Sequence, residues 1–410
     1  MRTLALRRAL LVVPAAVLPL ASVLPAQAST TPGWHVQSVI STGTGTQGLL
    51  LDVSTDSPGD AWAVGLTGPI SGSSISPLIV RWNGTSWAQV ALPAPILTAL
   101  GGDLIDSVSA ASPKNVWMFG FTSTWLHYDG ATWTSGHLGK PGPTGETLTT
   151  ATLALSKSDV WAFGARVSAK GGHSYAAHFD GVKWTATPVP GSSPIRRVSA
   201  VRAGDIWAVE GGGLLVAGGA AAGLVGAAGR SAAGLVGAAA RSAATSAPGG
   251  LVHWSGGTWH SVRLPATLRN VPLSSVVASS DSNVWVGGSV RNAKKGTTEA
   301  VGHWNGHGWT VRILPAVTSA QKFSVSDLAL DGSGGLWAVG NCFSCTGDVP
   351  SRIWHESAGR WQRAVMAAKS PFAIVNMALV PGGTSVWGVG AIKTGKTASG
   401  LVALDGTAPR

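Results

Sequence analysis

Charge and sulfur are both scarce in this chain. Only 11% of its 410 residues are charged, and 18 of them are Asp or Glu. Several of those acids (Asp60, Asp129, Asp159, Asp180, Asp205) sit in recurring turn motifs. Little is then left for the paired carboxylates of glycoside chemistry. No local Ser-His-Asp set, metal-ligand spacing or phosphate loop is present, so the sequence points to no cofactor and no metal. The two cysteines, Cys342 and Cys345, form "CFSC". Zinc would need two further ligands, and none stands at the usual spacing. A redox pair would need a helix N-terminus behind the first cysteine. The flanks "AVGN" and "TGDVP" read instead as a strand and a loop. In an exported protein the plain expectation is a disulfide. No segment carries a convincing helical stripe.

The basic excess is real but diffuse. The 29 Lys and Arg give a net charge of +11. They are scattered rather than striped, which is not a nucleic-acid-binding composition. A mild positive field favours acidic polymers outside the cell, beside its ordinary role in solubility.

The amino terminus carries a different signal. Arg2, Arg7 and Arg8 precede an apolar stretch from about Ala9 to Leu24, and "AQA" follows at Ala26–Ala28. That order predicts a secretory signal peptide over residues 1–28, removed on export. The apolar core is short for a stable membrane span, so no transmembrane span is expected. The Arg7–Arg8 pair leaves the twin-arginine route open beside the general one. The mature chain of about 380 residues is expected to be secreted and extracellular.

What the chain has in excess is tryptophan, 19 residues, and their positions explain the number. "DAWAVG", "NVWMFG", "DVWAFG", "DIWAVE", "NVWVGG", "GLWAVG" and "SVWGVG" recur with Trp at 62, 117, 161, 207, 285, 337 and 387. Most spacings fall between 44 and 55 residues, with one of 78. A second motif follows each of the first six: "RWNGTSW", "HYDGATW", "HFDGVKW", "HWSGGTW", "HWNGHGW" and "IWHESAGRW". An aromatic, an Asn-Gly or Asp-Gly pair and a tryptophan is the pattern of a hairpin, because those pairs tolerate positive φ. The two aromatics should face each other across it. A β-branched apolar run precedes each first motif. Four strands per unit and seven units predict a seven-bladed β-propeller of antiparallel blades spanning residues 34–406.

The two ends of the repeat complete one another. The seventh unit ends "LVALDGTAPR", where Leu404, Asp405 and Gly406 match the aromatic-turn position and Pro409 stands near the place of the next tryptophan. "WHVQSVI" at Trp34 matches "WAQVALP" at Trp87 and "WTVRILP" at Trp309. Residues 34–40 are therefore expected to supply the outer strand of blade 7 and to remove two free sheet edges. His127, His178, His253 and His303 recur before the hairpin aromatic. Equivalent positions on different blades lie too far apart for one metal ion, so a repeated structural hydrogen bond is expected.

The pattern S-x-x-D-V-W-A-V-G followed by H-W-N-G-x-x-W resembles the kelch, galactose-oxidase-like and sialidase-like propeller superfamily of secreted bacterial proteins. "DGSGGLWAVG" at Asp331–Gly340 is also similar to repeats of two-component regulator propellers. The resemblance covers nearly the whole mature chain and implies the propeller fold. It implies no single activity, since propellers host many. The double-glycine signature of kelch strands is irregular here and the Ser-x-Asp-x-Gly-x-x-Trp box of sialidases is absent, so no catalytic set carries over.

The connections between second and third strands vary in length and content, and loops of that kind carry binding sites. They bring Arg166, Lys170, His173, Tyr175, Arg291, Lys294, Lys295, Asp348, Lys393 and Lys396 to one rim. A cationic rim poor in carboxylates suits an anionic glycan or an extracellular protein; solvated loop charge is the plainer alternative. In blade 4 the same connection holds a Gly/Ala-rich insertion over residues 211–250, with "AAGLVGAAGRS" followed by "AAGLVGAAARS". Such composition reads as a flexible surface loop. The function expected is a monomeric, non-catalytic binding scaffold, with a glycoside hydrolase or polysaccharide lyase as the alternative and a purely structural role third.

Overall fold

A computed structural model describes residues 33–43, 45–69, 75–139, 146–168, 171–211, 249–269, 271–292, 296–315, 322–342, 349–395 and 397–406. The expected signal peptide and nearly all of the Gly/Ala-rich insertion lie outside them. Seven antiparallel sheets follow one another along the chain and form a propeller ring. Their inner strands are Thr46–Ser57, Ile105–Ser112, Glu146–Ser156, Ile195–Arg202, Leu273–Ser280, Phe323–Leu330 and Phe372–Leu379. In blade 1 the inner strand is followed by Asp60–Pro69, Ser76–Trp82 and the outer strand Trp87–Gln89. The other blades repeat this order. No helix among the described residues is long and apolar enough to cross a membrane.

Blade 7 is completed by the other end of the chain. Trp34–Ile40 pairs antiparallel with Thr397–Asp405, from Trp34 opposite Asp405 to Ile40 opposite Gly400. One feature departs from the four-strand expectation. Met366–Ala367 pairs parallel with Trp34 and His35, so this sheet has five strands. A second departure is the helix Ala94–Leu100 between blades 1 and 2, which buries Ile96 and Leu100 one turn apart and ends at Gly101 with φ 56°.

Blades 1, 2, 3 and 5 share one small constellation. In blade 3, Asp159 Oδ1 accepts from Trp161 Nε1 at 2.8 Å and from His178 Nε2 at 2.9 Å. Asn115 does the same for Trp117 and His127, and Asn283 for Trp285 and His303. In blade 1 Arg81 takes the imidazole's place against Asp60. The imidazole also lies flat on the tryptophan: 4.3 Å between centroids for Trp161 and His178, 3.9 Å for Trp207 and His253. The recurrent histidines thus make the structural bond expected of them, and His355 joins the set through Asp331 at 2.8 Å.

The glycine that closes "WAFG" has its own cause. Every inner strand carries a bulge opposite this position, as between Thr149 and Ala151 across from Gly164. A Cβ on Gly164 would overlap Leu148 O. Blade 4 has Glu210 there instead, and its carboxylate accepts from Ser174 Oγ at 2.5 Å.

The hairpins also form as the Asx-Gly pairs predict. Asn83 Oδ1 accepts from Thr85 N and Ser86 N, with Gly84 at φ 91°. Trp82 opposes Trp87, Tyr128 opposes Trp133 and Phe179 opposes Trp184. The sixth hairpin is shifted by two residues from the aromatic alignment. Glu356, not Trp354, opposes Trp361. The seventh shifts too, with Asp405 rather than Leu404 opposite Trp34. Both shifts put a carboxylate where blades 1 to 5 carry a ring.

Candidate functional site

The bulges aim one residue of every inner strand at the axis. These are Asp52, Ser107, Ala151, Arg197, Ser275, Asp327 and Asn376, each next after the register shift. Four of them accept a backbone N–H of the next blade. Asp52 Oδ2 accepts from Val108 N at 2.8 Å, and Asp327 Oδ2 from Met377 N at 2.8 Å. Ser275 Oγ accepts from Leu328 N at 3.0 Å, and Asn376 Oδ1 from Val53 N at 3.3 Å. A second tier lies two residues on, where Ser54, Ser109 and Ser199 serve Ala110, Ala154 and Ala278. These stitches satisfy backbone donors on the open edge of the inner strands, each of which ends its sheet.

The first tier is not made by Ser107, Ala151 and Arg197 of blades 2 to 4. Among the described residues Ser107 Oγ, Thr152 Oγ1 and Arg197 Nε have no hydrogen-bond partner, nor does Asp106 Oδ1 beside them. A cavity of about 250 Å³ lies on the axis here, lined by Asp52, Ser107, Thr152, Arg197 and Asp327 among others. Arg197 Nε stands 3.5 Å from Asp327. Burial pushes the Asp52 carboxyl up to about 6, against the pull of Arg197. Burial raises Asp106 and Asp327 as well, and lowers Arg196 to about 10. All lining residues come at or after the bulge, on the half of the inner strands that runs to the first short turn.

The rim named by sequence is partly described. Arg166, His173, Tyr175, Arg291 and Lys393 lie within the described residues; Lys170, Lys294, Lys295, Asp348 and Lys396 lie outside them. Arg166 opposes His173 and Gly164 opposes Tyr175 across the second and third strands of blade 3, so Arg166, His173 and Tyr175 share one face. Arg291 and Lys393 belong to blades 5 and 7, which do not adjoin blade 3. Arg166 and Tyr175 meet His137, Thr147 and Trp184 in a pocket of about 240 Å³ between blades 2 and 3. Arg166 is exposed and Tyr175 and Trp184 are half-buried. Burial raises the Tyr175 phenol against the pull of Arg166. Among the described residues no carboxylate lines this pocket. Sequence missed His137 and Trp184, which come from an outer-strand end and a hairpin read as structural. Cys342 is buried at the end of its strand and is in a disulfide, while Cys345 lies outside the described residues.

Ring, bulges and stitched axis make the chain a seven-bladed β-propeller. No family model and no curated protein matches it. Among solved structures it is similar to YCF48 bound to D1 peptide, with 16% identity, a TM-score of 0.53 and coverage of 92% of this chain and 97% of that one. It is similar to YCF48 from Cyanidioschyzon merolae at 14% identity and TM-score 0.50, covering 91% and 98% of the two chains. It is also similar to the extracellular domain of the hybrid two component system BT4673 from B. thetaiotaomicron, at 14% identity and TM-score 0.50, covering 90% of this chain and 39% of that one. At such identities the likeness is one of fold.

Proposed function

We propose that the chain is a secreted, monomeric, non-catalytic propeller that holds an anionic extracellular glycan at the pocket between blades 2 and 3. The carrying observation is the union of Arg166, Tyr175, His137 and Trp184 in one pocket that no carboxylate lines among the described residues. A guanidinium pairs two-pronged with sulfate or carboxylate, and aromatic faces pack against the apolar side of a sugar. The net charge of +11, or +8 once Arg2, Arg7 and Arg8 leave with residues 1–28, supports approach by a polyanion. Export through residues 1–28, a Cys342–Cys345 disulfide and kinship with kelch-type or sialidase-type propellers belong to the same proposal. Neighbours described as an extracellular domain and as bound to a peptide are consistent with a binding role.

Hydrolysis or lysis of a glycan is the second reading, favoured by the buried axial carboxylates. Asp52 and Asp327 weigh against it, because each already accepts a backbone N–H from the neighbouring blade. A panel of neutral, uronic and sulfated oligosaccharides separates the two. Binding of the charged members with no new reducing ends supports the scaffold. Turnover abolished by Asp327→Asn would establish the enzyme.

A further inference from the structure

The junction between blades 5 and 6 is built unlike its neighbours. At four other junctions the second-strand tryptophan meets a third-strand ring of the next blade. Centroid distances are 5.5 Å for Trp62 and Tyr128, 5.4 Å for Trp117 and Phe179, 4.9 Å for Trp161 and Trp254, and 5.2 Å for Trp387 and Trp82. In blade 6 that slot holds Glu356, fixed by its register opposite Trp361. Its Oε1 turns away to accept from Gly359 N at 2.6 Å. The consequence is visible in Trp285. It is the one second-strand tryptophan of the seven that is not buried. His303 covers one face at 3.8 Å, and Trp361 stands 6.4 Å away. A groove of about 600 Å³ remains between them, lined also by Arg312 and Glu356.

A carboxylate in the slot does not by itself open a junction. Asp405 occupies the same slot in blade 7, yet Trp337 is buried there because Trp34 stands edge-on to it at 5.5 Å. Among the described residues, only between blades 5 and 6 does the ring-shaped place lack cover.

We propose that this groove receives a tryptophan or tyrosine side chain presented by an extended segment of a partner protein. The molecule itself supplies the template, since the equivalent place is fitted by Trp82, Tyr128, Phe179 and Trp254. The fitted rings donate outward, Trp82 Nε1 to Pro58 O and Tyr128 OH to Gly130 O. An incoming indole or phenol brings such a donor to a site that contains an acceptor, Glu356. The backbone has a precedent as well. Met366–Ala367 adds to the outer strand of blade 7, so outer strands of this ring accept a further one. The outer strand of blade 6, Arg360–Ala364, pairs with no further strand among the described residues. Strand addition there would carry an alternate side chain into the groove.

The test uses the full chain and the blocked pentapeptide Thr-Val-Trp-Val-Thr, with its Thr-Val-Ala-Val-Thr analogue and chitohexaose as comparators. Calorimetric titration should show binding of the tryptophan peptide, weakened about tenfold or more by Ala in place of Trp, a cost of ~1.4 kcal/mol or more. Glu356→Trp restores the repeat's own ring and should abolish binding while raising Tm. Thr310→Trp, an exposed change on the groove wall, should block it without touching the slot. Arg166→Ala should leave it unchanged. The proposal is overturned if the wild type does not bind the peptide, if the alanine peptide binds equally, if both blocking variants still bind, or if chitohexaose rather than the peptide competes for the groove.

Discussion

Trp34 lies directly opposite Asp405, so the ring closes on a fully buried indole beside a buried carboxyl. The seam therefore joins the burial of a whole indole to an electrostatic penalty. Burial raises Asp405 to about 6; His355 and His35 pull it down and Asp331 pushes it further up. One of its oxygens has no hydrogen-bond partner among the described residues.

A carboxyl whose folded pKa is raised favours folding when protonated. Its contribution is complete below the unfolded value of 3.8 and is lost as pH rises through about 6. Asp405→Asn should thus raise stability at pH 7 by about 1 kcal/mol, a value discounted for screening by the two imidazoles. The gap between variant and wild type should shrink to nothing near pH 4. Melting curves of both proteins across pH 4 to 8 check the sign.

Removing the indole acts on the same seam from the apolar side. Trp34 is fully buried, touching Trp337 of blade 6 edge-on. Its burial contributes roughly 4–6 kcal/mol gross as an upper figure. Trp34→Ala should cost about 3–5 kcal/mol in denaturant unfolding, more than any single change on the exposed hairpin turns.

The Asx-His-Trp constellation makes a sharper prediction about chemistry than about size. Asn replaces Asp naturally at positions 115 and 283, because one Oδ1 suffices for both donors. Asp159→Asn should therefore change stability by less than about 0.5 kcal/mol. Asp159→Ala leaves Trp161 Nε1 and His178 Nε2 without their acceptor and should cost about 1–2 kcal/mol. Chemical unfolding of the two variants in parallel separates the outcomes.

Ring, blade count and closure could all be read from Trp34, the seven recurrent tryptophan motifs and the Asx-Gly turns, since these residues act locally and repeat. What failed was register. Spacing of aromatics put Trp354 and Leu404 in the ring slot, but a slip of two residues in blade 6 and of one in blade 7 brings Glu356 and Asp405 there. A pattern of residue types cannot register such a slip when the turn length also changes. The axial ring was illegible for a related reason. Asp52, Arg197 and Asp327 reach the axis only because bulges re-aim them, and each bulge is defined by a partner strand. The two-residue strand Met366–Ala367 carries no periodicity at all. Arg166 and Tyr175 were legible as rim residues, whereas His137 and Trp184 complete their pocket only through packing between blades.

Affinity for an anionic ligand at Arg166 tests the functional account most directly. A sulfated oligosaccharide should be titrated into the wild type and Arg166→Glu at low and near-physiological salt. Wild-type affinity should fall as salt rises, and the variant, an exposed change that leaves the fold intact, should bind about tenfold more weakly or not at all. Equal affinity in both proteins, or binding indifferent to salt, would contradict the assignment of this pocket.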